Sequence, residues 1–288
     1  MLEILLATVV ALSAAPGPAA AVADTAAIQP TDVVPGHPGL TYLDLIRQVA
    51  PSLALSAEDK QFEGEAAKPF HHIGGPEYEG PPPDPLVLGF IQDRRILVGG
   101  KRRMLILADL GYDPDRVQSA ALLLLFDDAP KPRLLDVADV SIDKDTEFAE
   151  DIPRTSLGRG DEAIVTYSEH DDADLTMGGY VLISPIGDRL RMIGIAPVVS
   201  EKLCGWTRIE SAQVATAPDP GVAHPRIDLI VRAKVTRNDD GDCGDDQPKR
   251  RVGTRTFRAI YRWSNAAGRY QVQSSQMKAL TALNDKDF

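Results

Sequence analysis

A chain of 288 residues with 42 acidic and 31 basic side chains has a formal charge of −11. Nucleic acid and anionic lipid surfaces recruit clustered Lys and Arg, so this balance excludes both as partners; it suits solubility or a cationic partner instead. Hydrophobic residues, at 43%, are enough for a real core, and two cysteines suffice for one disulfide but not for a cysteine-built zinc site.

Ile4–Ala15 (ILLATVVALSAA) is almost wholly apolar. At about a dozen residues it suits the core of a signal peptide and falls short of the roughly 20 that span a bilayer. Pro16, Gly17 and Pro18 break it, and Ala21-Val22-Ala23 reads as a cleavage site before Asp24. Glu3 and the lack of Lys or Arg before the apolar run depart from the usual pattern. Residues 1–23 are therefore expected to be a signal peptide, and the protein to be periplasmic or extracellular. No later apolar run approaches a membrane span, so none is expected in the mature chain.

Residues 24–85 read as a loose N-terminal region. Asp24–Pro38 is rich in Ala, Pro and Asp. Thr41 and Asp44 have capping-box spacing, and Leu43, Ile46 and Val49 continue it at helical spacing up to Pro51. Ser56–Asp59 has the form of a second helix start. Phe70–Pro85 (FHHIGGPEYEGPPPDP) has the composition of a linker or surface arm with no regular element, and His71-His72 reads as a surface pair.

Residues 86–288 read as a β-rich domain. Strands are expected over Leu86–Ile91, Arg95–Val98, Arg103–Ala108, Ala120–Phe126, Leu134–Ile142, Ala163–Ser168, Tyr180–Ile183 and Leu190–Ile195. The run Ala120–Phe126 (AALLLLF) suits burial on both faces, whereas Ile227, Leu229, Val231, Ala233 and Val235 alternate with polar residues. Phe257–Trp263 and Tyr270–Gln273 flank the turn Ser264–Gly268, and Gln276–Leu283 reads as a short closing helix. The expected fold is mainly β, an antiparallel sandwich or a large curled meander, with short helices at the N- and C-terminal ends. No fixed-period repeat supports a propeller.

Two acidic stretches are candidate metal sites. Arg237–Asp246 (RNDDGDCGDD) fails as an EF-hand in either register. Counted from Asn238, Cys243 stands where glycine makes the sharp turn, and Lys249 stands where a glutamate should ligate. Counted from Asp240, Asp245 takes the glycine position. Asp239, Asp240, Asp242 and Asp245 are left as candidates for an irregular calcium cage, beside the simpler reading of a solvated hairpin loop between Val235 and Val252. In Glu169–Asp174 (EHDDAD), His170, Asp172 and Asp174 are candidate ligands for a divalent cation, again beside a solvated loop preceding a Gly178-Gly179 turn. Calcium is the one cofactor candidate, and no catalytic residue is assigned.

Cys204 and Cys243 have only each other as mates, and no CxxC is present. A bridge closing a loop of about 40 residues is worth roughly 4 kcal/mol in the chain-entropy picture. Gly158–Ala163 (GRGDEA) fits G-x-G-x-x-A, but a strand follows it where a dinucleotide site needs a helix. No G-x-S-x-G, H-E-x-x-H or phosphate-loop motif occurs. The sequence thus favours an exported, non-enzymatic binding module with a cationic protein partner. The alternatives are a metal-assisted hydrolase and a structural envelope protein.

Overall fold

The apolar run at 120–126 forms the centre of β7 (Ser119–Asp127), and both of its faces are covered. The computed structural model describes residues 27–58, 60–65, 70–76, 85–112, 119–238 and 251–285. Within them β7 is central to a five-stranded sheet ordered β3 (His71–His72), β8 (Leu134–Asp139), β7, β6 (Lys101–Tyr112) and β5 (Ile91–Val98). Leu122, Leu124 and Phe126 point to one side and Leu123 and Leu125 to the other, and all five are fully buried. At roughly 1.5–3 kcal/mol for each buried Leu or Phe side chain, this strand alone contributes a large share of the core's hydrophobic free energy.

The first face is covered from the N-terminal region. Thr41 caps α1 (Tyr42–Ile46) through the expected capping box, accepting from the Asp44 amide at 3.2 Å while the Asp44 carboxylate accepts from the Thr41 amide at 2.9 Å. α1 lays Leu43, Leu45 and Ile46 on Met104, Ile106, Leu122 and Leu124. Beside it lies a three-stranded sheet of β1 (Ala54–Leu55), β2 (Phe62–Gly64) and β4 (Leu86–Leu88). The helix expected to start at Ser56 is absent: the Ser56 amide donates to the Gln61 carbonyl at 2.7 Å, closing a turn between β1 and β2. The segment before α1 is less loose than its composition suggests, since Val34 is fully buried and His37 bonds Asp128 at 3.1 Å.

The second face packs on a nine-stranded sheet. Its path runs β10 (Thr155–Gly158), β11 (Asp161–Asp172), β12 (Leu175–Ile186), β13 (Arg189–Leu203), β14 (Trp206–Ala217), β15 (Arg226–Arg237), β16 (Gly253–Ser264) and β17 (Arg269–Ser275), with β9 (Asp145–Phe148) also on β11. From β11 onward it is one antiparallel meander. Phe148, Ile164, Val181, Ile183 and Leu190 meet Leu105, Leu107, Leu123 and Leu125 between the sheets. The far side of the meander closes over a third cluster, where Leu229, Val231 and Tyr261 meet Met277 and Leu280 of α2 (Met277–Asn284). The meander curls so sharply there that a side chain at Gly194 would collide with the Tyr261 ring.

Two expectations fail for a packing reason. Gly178 and Gly179 lie mid-strand in β12, and the turn falls at Ala173–Asp174 instead. A Cβ at 178 would crowd the Ser168 carbonyl, and one at 179 the Ile142 side chain. Glycine is there for close approach, not for a turn. The Pro/Gly-rich arm holds β3, which pairs in parallel with β8, and His72 is 4% exposed rather than on the surface. Its Nε2 donates to the Ser141 carbonyl and its Nδ1 accepts from the Gly74 amide at 3.0 Å, so one tautomer serves both neighbours.

Asp139 sits beside that histidine and accepts from the Ser141 amide at 3.0 Å, the Ser141 hydroxyl at 2.7 Å and the Ala121 amide at 3.3 Å. Loss of solvent pushes its carboxyl above the usual range in spite of these donors. A raised carboxyl favours the folded state while it is protonated, and that contribution is lost as pH rises from its ordinary value of 3.8 upward. Asp139→Asn keeps an acceptor oxygen and cannot ionise. Its urea midpoint relative to wild type is therefore expected to improve as pH rises above 4. A difference that is flat or falls with pH contradicts the assignment.

Candidate functional site

The GRGDEA stretch is where the two sheets are joined. Gly158, Arg159 and Gly160 all have positive φ and make the tight β10–β11 turn. Gly160 lies so close to Gly100, in the Gly99-Gly100 turn of the β5–β6 hairpin, that a Cβ would strike its backbone. The Gly100 amide donates to the Gly160 carbonyl at 2.9 Å. The Asp161 carboxylate accepts from the Gly99 amide at 2.6 Å, and Glu162 accepts from the Leu97 amide at 2.8 Å. Arg154 donates to the Arg95 carbonyl at 2.6 Å, and Gln92 accepts from the Phe148 amide at 2.7 Å. Side chains of the second sheet thus satisfy the open edge of β5, where bare backbone groups would template another strand.

β6 and β8 are clamped to the second sheet as well. Arg103 grips Asp188 with two bonds of 2.7 and 2.9 Å, and the Asp136 carboxylate accepts from the Leu190 amide at 2.7 Å. On β5, Arg94 lies over the Phe148 ring at 5.1 Å in a cleft that Phe90, Glu147 and Glu150 also line. Burial first, then Glu150 and Glu169, push the Glu147 carboxyl up.

Among the candidate metal ligands, Asp239, Asp240, Asp242 and Asp245 lie outside the described residues. His170 and Asp172 share a face near the end of β11, and Asp174 stands in the following turn. His170 does find a carboxylate, but it belongs to Asp143: the Nδ1 to Oδ2 distance is 2.6 Å. Such a partner fixes the orientation of an imidazole. Two residues away, the Ser168 hydroxyl is engaged by Thr146 at 2.8 Å and by the Ile142 amide at 3.3 Å. Sequence spacing carries no hint of Asp143, which lies 27 positions from His170. Among the described residues no three His, Cys, Asp or Glu side chains are grouped as a metal needs.

Cys204 occupies the two-residue β13–β14 turn with Gly205, and its thiol is not free. Cys243 lies outside the described residues. Asn238, at the end of β15, is tied to that turn: its side-chain amide donates to the Leu203 carbonyl at 2.9 Å, the Trp206 carbonyl at 3.0 Å and the Thr207 hydroxyl at 3.1 Å.

β14 was not legible in the sequence, and its inward positions show why. Trp206, Arg208, Glu210 and Ala212 all point inward and are buried. Arg208 and Glu210 pair there, and Asn284 of α2 bonds to both. Burial lifts the Glu210 carboxyl against the pull of Arg208. Two charges at core positions erase the period-two pattern.

The outward face of β14–β17 is open to solvent. Register places Ile209, Ser211 and Gln213 of β14 beside Lys234, Arg232 and Ile230 of β15. These lie beside Thr254, Thr256 and Arg258 of β16, and Arg262 and Arg269 continue the same side. Arg226 and Arg258 are paired with Asp228 at 3.0 and 3.9 Å, and Arg262 with Asp219 at 3.3 Å. Arg232 and Lys234 are exposed and have no ion-pair partner among the described residues.

Comparison of the chain with family models, curated proteins and solved structures finds no match.

The edge caps make a direct prediction. Glu162→Ala leaves the Leu97 amide without its acceptor and is expected to cost about 1–3 kcal/mol, read by urea unfolding. Glu162→Gln, which keeps an acceptor oxygen, restores most of that loss. Equal losses in the two variants would point to charge rather than to the cap.

Proposed function

We propose that the protein is an exported, non-enzymatic binding module whose working surface is the open face of β14–β17. The observation that supports this reading is the contrast between the two sides of those strands. One side is sealed by Leu229, Val231, Tyr261 and α2. The other leaves Ile209 53% exposed and keeps Arg232 and Lys234 exposed, with no ion-pair partner among the described residues. A stiff sheet that presents uncovered side chains in fixed register is pre-organised for binding.

The cationic protein favoured by the net charge has its own place. Asp171, Asp172 and Asp174 are exposed at the β11–β12 tip, and none of them enters an ion pair among the described residues. Immobilised full chain is expected to retain specific partners from native envelope extract at low salt. Reversing Arg232 and Lys234 to Glu, or neutralising the three tip acids to Asn, assigns each partner to its surface. Retention of nothing specific at low or moderate salt overturns the module reading.

The export reading brings the Cys204–Cys243 bridge with it. Asn238 supports that bridge by holding the end of β15, five positions before Cys243, against the Cys204 turn. Denatured, unreduced protein is then expected to show no titratable thiol. Reduction is expected to lower stability by about 2–4 kcal/mol. Reactive thiol in the unreduced protein removes the bridge.

A further inference from the structure

On an acidic chain, the open face of β14–β17 is basic. β15 contributes Arg226, Arg232 and Lys234 to it, β16 contributes Arg258 and Arg262, and β17 contributes Arg269. Asp228 is the one acid these strands place on that face. It is 7% exposed and is committed to Arg226 and Arg258. Asp219 reaches Arg262 from the loop before β15. Among the described residues, Arg232, Lys234 and Arg269 have no ion-pair partner. The net charge of −11 conceals this, because a sum over the chain says nothing about which strand face each residue takes.

The side chains between the cations select among anions. Ser200, Ser211, Gln213, Thr254, Thr256 and Gln271 carry hydroxyls or amides, all exposed. Residues on one strand face recur about every 6.8 Å, so charge and hydrogen-bonding groups alternate along the strands. No aromatic ring lies on this side: Phe257, Tyr261, Trp263 and Tyr270 all turn to the sealed one. Single-stranded nucleic acid takes much of its affinity from stacking on aromatic side chains. Ile209, Ile230 and Ile260 are scattered among the polar side chains here, not gathered into the continuous apolar face that enters a membrane surface. An extended polymer with regularly spaced carboxylates and many hydroxyls fits what is there.

We propose that the outward face of β14–β17 binds an acidic polysaccharide of the polyuronate class, through Arg232 and Lys234 with Arg258 beside them and Arg262 and Arg269 farther along the same face. This rests on the module reading above and names its partner. Salt bonds from exposed cations meet the uronate carboxylates, and the Ser, Thr and Gln side chains meet the sugar hydroxyls.

Polygalacturonate, neutral dextran, phosphatidylglycerol vesicles and single-stranded DNA are presented to the full chain at low salt. Polygalacturonate is expected to bind tightest, with an affinity that falls as salt rises. The double variant Arg232→Ala/Lys234→Ala is expected to bind about tenfold more weakly, the scale of two exposed charge contacts. Arg255→Ala removes an exposed, unpaired cation from the opposite, α2-facing side, and is expected to bind as wild type does. Unfolding midpoints confirm that both variants fold. The proposal is overturned by undiminished binding in the double variant, by an equal loss in Arg255→Ala, or by a preference for dextran, vesicles or DNA. Partner retention that depends on Arg232 and Lys234, without polyuronate binding, leaves the module reading standing and removes only the polysaccharide. Loss of both removes both.

Discussion

The structure is organised by the need to hide a strand pair with no polar face. β6 and β7 carry leucine, isoleucine or alanine at almost every central position, so neither side of the five-stranded sheet can meet water. One side takes α1 and the short three-stranded sheet, and the other takes the meander. Burying both faces still leaves the edges. β5 ends the sheet with an open edge, and Glu162 accepts from its Leu97 amide while Asp161 accepts from the Gly99 amide just beyond it, contacts that a neighbouring strand would otherwise supply. The acids that spoil a nucleotide reading of GRGDEA are the acids that close this edge.

The same demand makes the meander asymmetric. Its early strands lend one face to the five-stranded sheet, and its later strands curl over α2. Curling brings β13 against β16, which glycine at 194 permits. It also turns the other side of β14–β17 outward, past the end of the sheet stack, where no described residue covers it. Charge follows from this geometry. Acids gather at hairpin tips and loops, while bases gather at the outward positions of β15 and β16. A protein that is acidic by count therefore presents a basic plane, and a local field rather than the net charge governs what docks there.

Legibility tracked how directly each residue's local pattern reflects its final surroundings. The capping box at Thr41 and Asp44, the alternation in β15 and the closing helix were readable, because each is set by neighbours in the chain. β14 was not, because Arg208 and Glu210 occupy core positions and neutralise each other only once Asn284 arrives from the far end of the chain. Gly178-Gly179 looked like a turn because composition cannot distinguish a glycine that bends the chain from one that admits Ile142. His71-His72 looked like a surface pair because the partner of His72, Ser141, is 69 residues away.

By itself, the sequence determined a mainly β chain with short helices near both ends and a doubly buried strand at 120–126. These properties follow from side-chain period and local capping, which act over a few residues. Tertiary structure alone decided that His170 pairs with Asp143, that Asp161 and Glu162 cap a sheet edge, and that Arg232 and Lys234 share an open face with Arg258. Each of these depends on which strands become neighbours and in what register. Register is set by burying many apolar side chains together, and that sum over distant residues leaves no mark on any short stretch of sequence.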